Sequence, residues 1–399
     1  MHKKLIKRLR FITIILTVVF IAELGYVLYR VLNKDVEYVY FDGINAIVSV
    51  DKYYATVGSN NDNDNHYEKA KISKFNLNKE KTFEKLYNVG FNSAFYGVLM
   101  DGDDLVAVGS YEKDETDHES SIRHALIVKY DKDGNVIFDE DFSVLDNSKF
   151  TAIIKVGDDY LVTGQSIYKN TMIGNSEGGA ILARYNKDGE LLWYKTYGSS
   201  KSSIFNDLIV VNDYIYTVGT DDNYLGIIAK YDMEGNLITY NDYKTTDPLG
   251  FSGIVNIDGF IYASGAVRRD SFNNDAMIVR YNLDCRYIDQ VIYSGEGIER
   301  FNKLIVDDHE HIVAIGTMAI PKEDDGISEY NYDGIIAKYD SELKVIDTVS
   351  YGDERDDYFT DIKLVDGKYL VVGYSSYEND SYMSKFISYS GALKVLGVE

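Results

Sequence analysis

NDLIVVNDYIYTVGTDDNYLGIIAKYDMEGNLITYNDY, residues 206–243, decides the fold. Four runs in it read as strands: NDLIVVN, YIYTVG, GIIAKYD and NLITYNDY. They are rich in Ile, Val and Tyr, which suit a pleated surface. The first two are joined by Asn-Asp and the last two by Met-Glu-Gly, both turn-forming. No helical period of apolar residues is present here or anywhere after residue 34. One four-stranded sheet cannot bury both of its faces, so this stretch needs neighbours built like itself.

The neighbours are in the same chain. Short runs ending in glycine recur seven times, at Gly58, Gly109, Gly164, Gly219, Gly265, Gly316 and Gly373. A second column follows each glycine: Lys74-Phe75, Lys129-Tyr130, Arg184-Tyr185, Lys230-Tyr231, Arg280-Tyr281, Lys338-Tyr339 and Lys385-Phe386. A third, aromatic column closes six units, at Tyr87, Phe142, Tyr197, Tyr243, Tyr293 and Tyr351. Four short strands per repeat of about 50 residues is the pattern of a propeller blade. The reading is all-β: a seven-bladed β-propeller of four-stranded antiparallel blades over residues 43–399. VEYVYF (36–41) and ALKVLGVE (392–399) both resemble an outer strand, so the closing strand stays open at this stage.

GGAILARYNKDGELLWYKTYG, residues 178–198, resembles the bacterial β-propeller repeat family often labelled SBBP. The shared pattern is an alternating strand, a basic residue, an Asp-Gly turn, a strand and a closing aromatic-Gly. The resemblance implies a propeller in an extracytoplasmic or cell-surface setting, with no defined activity. The same stretch is faintly similar to tryptophan-docking repeats of quinoprotein dehydrogenases. The chain departs from that pattern, having only Trp193 where those repeats carry a tryptophan in most blades.

Ahead of the repeats, residues 1–10 form a basic tail and residues 11–32 are apolar except for Glu23 and Arg30. Twenty-two residues span about 33 Å as a helix, enough for a hydrocarbon core. Five basic residues precede the span, which predicts a cytoplasmic N-terminus and a propeller outside. Phe20 or Glu23 would stand at −3 of the candidate cleavage sites, which fits a signal peptide poorly. Glu23, near mid-span, marks a candidate contact with a partner helix. Residues 33–42 read as a linker or closing strand.

The net charge is −23. Residues 1–34 carry +6 of it, so the remainder carries −29, a field that disfavours nucleic acid. The single cysteine, Cys285, excludes an intramolecular disulfide.

KYDKDGN, residues 129–135, looks like part of a calcium loop, but Lys129 stands where the first ligand belongs. Its relatives RYNKDGE and KYDMEGN also lose the last ligand, so the reading is a hairpin turn. His309 and His311, in DDHEH, are spaced to face one metal and are the candidate metal ligands. NNDNDNH (60–66) is a second candidate chelator, and His118 and His124 are placed in loops. Asp207 and Asp361 are the only acids in an inner-strand column of small residues (Ala46, Gly97, Ala152, Gly253), with the sixth unit out of step by one. They are the candidate catalytic residues of a glycan hydrolase or lyase. No phosphate loop, Gly-x-Ser-x-Gly elbow or His-Glu-x-x-His helix is present, and no cofactor is expected.

The loops between second and third strands vary most, and there Tyr111, Tyr168, Tyr330, Tyr332 and Tyr377 are candidate anchors for a protein or glycan partner. Non-catalytic binding is the first functional reading. The basic column has two readings: stems packed between blades with paired heads, or a cationic ring for an anion.

Overall fold

The computed structural model describes residues 44–390, apart from 51–52, 63–66, 77–79, 114–121, 146, 170–175, 199–202, 244–246, 271–272, 296, 322–329, 353–355, 366 and 378–380. The described chain forms six four-stranded antiparallel sheets, over residues 44–86, 91–142, 148–197, 204–242, 247–293 and 300–351. A three-stranded sheet follows at residues 357–390. The expectation of seven four-stranded blades is therefore corrected to six complete blades. Among the described residues the last unit pairs Asp357–Val365, Lys368–Tyr377 and Ser381–Ser390. The third strand of this sheet runs in register with its relatives, Tyr389 lying opposite Tyr369 as Tyr185 lies opposite Tyr160. Ser388 and not Lys385 therefore takes the position of the basic column, and the chain beyond Ser390 lies outside the described residues. Both candidate closing strands, 36–41 and 392–399, lie outside the described residues, as do the basic tail and the 11–32 span. Among the described residues no helix is long and apolar enough to cross a membrane.

The fourth blade shows how the repeat works. Its strands are Ile204–Val211, Tyr214–Thr220, Gly226–Tyr231 and Leu237–Asp242. The first is innermost and the last is the outer edge. Phe205 lies opposite Gly219, the register then slips one residue at Asn206, and Asp207 lies opposite Val218. The same slip follows Ile44, Phe95, Phe150, Phe251, Phe301 and Phe359, each opposite its column glycine. At this β-bulge the two backbones nearly touch. A Cβ on Gly219 would collide with the Ile204 carbonyl, which explains the glycine.

The outer hairpins use side chains as templates. Asp131 Oδ1 accepts from the Asp133 and Asn135 amides (2.9 and 2.8 Å), and Gly134 takes φ 81°. Asn186, Asp232, Asn282 and Asp340 repeat this arrangement. The acid of KYDKDGN is thus engaged with its own backbone, as an Asx turn.

Cores form between blades. One cluster joins Phe95 and Tyr130 to Val57 and Ile72. Another closes the circle, packing Ile44, Ile47, Tyr54 and Phe75 against Leu370 and Val372. The strand order gives two faces. One carries the interblade links and the variable loops (link face); the other carries both sets of hairpin turns (turn face).

Candidate functional site

The slipped residues form a ring about the axis: Asn45, Tyr96, Thr151, Asn206, Ser252, Asn302 and Thr360. All of them line a central channel of about 290 Å³. Five of them stitch one sheet to the next by donating to the carbonyl beside the following bulge. Asn45 reaches Phe95 O (2.8 Å), Thr151 reaches Phe205 O (2.6 Å) and Asn206 reaches Phe251 O (2.6 Å). Asn302 reaches Phe359 O (2.8 Å), and Thr360 reaches Ile44 O (3.1 Å) across the closure.

The next position inward is Ala46, Gly97, Ala152, Asp207, Gly253, Lys303 and Asp361. Lys303 is the member that counting missed. The turn at 307–311 is one residue longer than its relatives, so counting twelve back from Gly316 lands on Leu304. The opposing-strand register places Lys303 in the column. The two candidate acids are brought to one charged group. Lys303 Nζ lies 2.7 Å from Asp207 Oδ2. Burial works to lower the Lys303 pKa, but the charges of Asp207 and Asp361 outweigh it and the net shift is upwards. Asp207 also accepts from the Leu208 and Ile254 amides (3.1 and 3.3 Å). Asp361 accepts from the Ile47 and Ile362 amides (both 2.9 Å), with Lys363 Nζ at 4.0 Å. The channel wall therefore holds an ion pair and a capped carboxylate.

The basic column is engaged on the turn face, and its role is now explicit. Lys74, Arg184, Lys230 and Arg280 each reach a carbonyl in the outer turn of the next blade: Lys132 O, Met233 O, Leu283 O and Ser341 O (3.4, 3.1, 3.0 and 3.0 Å). Lys129 and Lys338 instead pair with an acid ending their own blade's first hairpin, and with a tyrosine of the next sheet. Lys129 meets Asp101 (2.6 Å) and Tyr160 (3.2 Å); Lys338 meets Asp307 (2.5 Å) and Tyr369 (3.5 Å). All six described members are latches between sheets. The side chain of Lys385 is not described.

Asp307, His309 and His311 are close enough for one metal, their ligand atoms lying within 4.8 Å of one another. Asp307, however, already accepts from Lys338, from Tyr369 (3.1 Å) and from the His309 and His311 amides (both 2.9 Å). Burial would raise its carboxyl, yet these donors, Lys338 foremost, hold it well below the usual carboxylate range. A metal would have to displace the Lys338 latch. His124, placed in a loop from sequence, lies instead in the strand Arg123–Tyr130, buried and 3.4 Å from Asp141. His66 and His118 lie outside the described residues.

The candidate anchors separate. Tyr111 is 7% exposed, packs edge-on against Tyr87 and donates to Asp141 (3.3 Å). It is a core residue rather than a surface anchor, because both faces of its strand, Asp104–Glu112, are covered by neighbouring blades. The side chains of Tyr168 and Tyr377 are not described. Tyr330 and Tyr332 are half-buried. Tyr332 stacks on Tyr358 (5.9 Å, 24°), and Tyr358 stacks on Tyr374 (4.9 Å, 26°). This three-ring ladder crosses from the sixth blade to the last sheet on the link face. Sequence reading missed Tyr358 and Tyr374 because they lie on strands, outside the variable loops.

No protein-family model matches the chain, and no curated protein matches it. Solved structures do. Sqt1 from Chaetomium thermophilum is 9% identical with a TM-score of 0.52, over 88% of this chain and 96% of that one. The WD40 domain of Toxoplasma gondii coronin is 10% identical (TM-score 0.48, 91% and 89%). The β-propeller domain of the Trilobed protease of Pyrococcus furiosus is 12% identical (TM-score 0.43, 77% and 84%). At such identities a likeness concerns architecture alone. The chain is a β-propeller.

Proposed function

We propose that this chain is a non-catalytic binding module of the SBBP type, engaging a protein or glycan partner on its link face. The observation that carries this reading is the state of the channel acids. A glycosidase needs two carboxyl groups able to act on one bond, one as acid and one as nucleophile or base. Here Asp207 is matched by Lys303 at 2.7 Å, and both Asp361 oxygens accept backbone amides. The link face, in contrast, offers variable loops and the Tyr332–Tyr358–Tyr374 ladder.

Incubation with a panel of polysaccharides should release no reducing ends. Release that Asp207→Asn abolishes would establish the hydrolase instead. In the same reading residues 11–32 anchor the propeller outside the cytoplasmic membrane, with Glu23 available to a partner helix. Protease added to intact cells with an accessible surface should then remove the propeller, and full protection would overturn that topology.

A further inference from the structure

The residue just before each inner aromatic opens the innermost strand at the link-face end of the channel. In the third, sixth and last sheets it is Lys149, Arg300 and Tyr358. All three are partly exposed and reach back to the preceding blade. Arg300 Nη2 donates to Ser252 Oγ (2.6 Å), and Lys149 Nζ lies over the Tyr96 ring (6.0 Å to centroid). Ser252 and Tyr96 are channel-lining residues. Neither cation has an acid partner among the described residues, although the whole chain carries −23. Deeper in the channel every cation is matched: Lys303 by Asp207, Lys363 by Asp361. Burial lowers the pKa of both mouth cations, with Arg123 adding to the effect at Lys149, and no carboxylate offsets it. An uncompensated, partly desolvated charge costs stability. Such a cost is tolerated where a ligand supplies the counter-charge.

The middle ring of the tyrosine ladder, Tyr358, occupies in the next sheet the register position that Arg300 holds in the sixth. Unmatched cations on two sheets of the mouth and a stacked aromatic surface on a third ask for a ligand with two characters: a carboxylate for a guanidinium fork, and an apolar ring face for the tyrosines. A sugar acid has both in one unit. An acidic peptide offers the carboxylate without the flat C–H face.

We propose that the link-face mouth of the central channel, formed by Lys149, Arg300 and the Tyr332–Tyr358–Tyr374 ladder, binds a uronate-containing saccharide. This deepens the binding reading above and rests on it.

The test is calorimetry on the full-length chain with tetragalacturonate, with a neutral tetraglucoside and poly-glutamate as comparators. Tetragalacturonate should bind, weaken as salt rises, and exceed both comparators. Lys149→Met and Arg300→Met should each weaken it roughly tenfold, as loss of a charged hydrogen bond implies. Tyr358→Leu should weaken it without changing the salt dependence. The Met variants should melt at or above the parent temperature, which separates lost binding from lost fold. If a variant fails to fold, the comparator ranking and salt titration on the parent still decide. No uptake of tetragalacturonate, equal binding of the neutral sugar, or tighter poly-glutamate binding would overturn the assignment. A protein partner retained by the double Met variant would overturn it while leaving the binding-module reading intact.

Discussion

Asp101 is where single-residue physics is sharpest. It ends the first hairpin of the second blade and accepts from Lys129 (2.6 Å), Tyr160 (2.6 Å) and Lys155. Burial would lift its carboxyl, but the hydrogen bonds, Lys129 first, hold it well below the usual range. A depressed pKa contributes stability that is fully present above the unfolded value, near 3.9, and is lost as pH falls through the folded value. Melting temperature should therefore fall as pH drops below about 4. Asp101→Asn should destabilise the protein at pH 7 by about 2 kcal/mol, because buried Lys129 is left with only the more distant Asp104 (3.5 Å) as its acid. It should also flatten the acid limb. If the variant's melting curve against pH ran parallel to the parent's, the limb would have to come from other carboxylates. At this scale the sequence was partly legible. The column placed Lys129 between blades. Its partner came from a hairpin 28 residues away that no spacing rule connects to it.

At the scale of the element, the bulge is the repeat's organising feature, and its glycine is a steric necessity. Gly219→Ala would drive a methyl into the Ile204 carbonyl, which is backbone and cannot swing aside. The expected loss is about 1–3 kcal/mol or more. Gly102→Ala is the control: nothing lies within 4 Å of the added methyl, and only its φ of 64° is unfavourable. That should cost about 1–2 kcal/mol. Denaturant titration of both variants decides the matter, and equal losses would refute the collision argument. The glycine column was legible because the constraint admits one residue type. The stitching ring was not, since Asn, Thr, Ser and Tyr fill it. What Asn206 and Thr151 share is a donor group, which no identity column reveals. Turns show the same limit. Gly134, Cys285 and Leu343 take the same left-handed φ (81°, 58° and 60°), yet only the first announces it. In the other two the side chain is buried, so packing offsets the strained backbone.

For the molecule as a whole, periodicity was enough to give a propeller, and insufficient to give the number of complete blades. The seventh repeat carries the glycine and the bulge, yet the described chain makes three strands of it, with Ser388 and Tyr389 at the register positions where the other sheets hold the basic-aromatic pair. Periodicity records what a unit shares with its relatives. The outer edge of a unit is built by residues after the last shared column, and in the last unit those residues lie outside the described chain. At the axis one added residue in the sixth hairpin hid Lys303, whose ammonium lies 2.7 Å from Asp207. Much of the link-face mouth was equally hidden. Lys149, Arg300 and Tyr358 share a position without sharing a residue type.

The stitches and most of the latches run in one direction round the circle. Asn45, Thr151, Asn206, Asn302 and Thr360 donate onward on the link face. Lys74, Arg184, Lys230 and Arg280 do so on the turn face. In these contacts each sheet donates forward and accepts from behind, while Tyr160, Arg300 and Tyr369 donate the other way. The two sides of a sheet therefore differ, and the junctions are heterologous contacts in the sense used for subunits. A chain cut at 244–246 would expose the donors Asn206 and Lys230 on one half and the acceptors Phe251 O and Leu283 O on the other. The halves should co-elute as one 1:1 complex, and neither should pair with itself through its cut side. A self-paired half as the dominant species would count against this polarity. A propeller of this kind is, in effect, a head-to-tail oligomer whose subunits happen to share one chain.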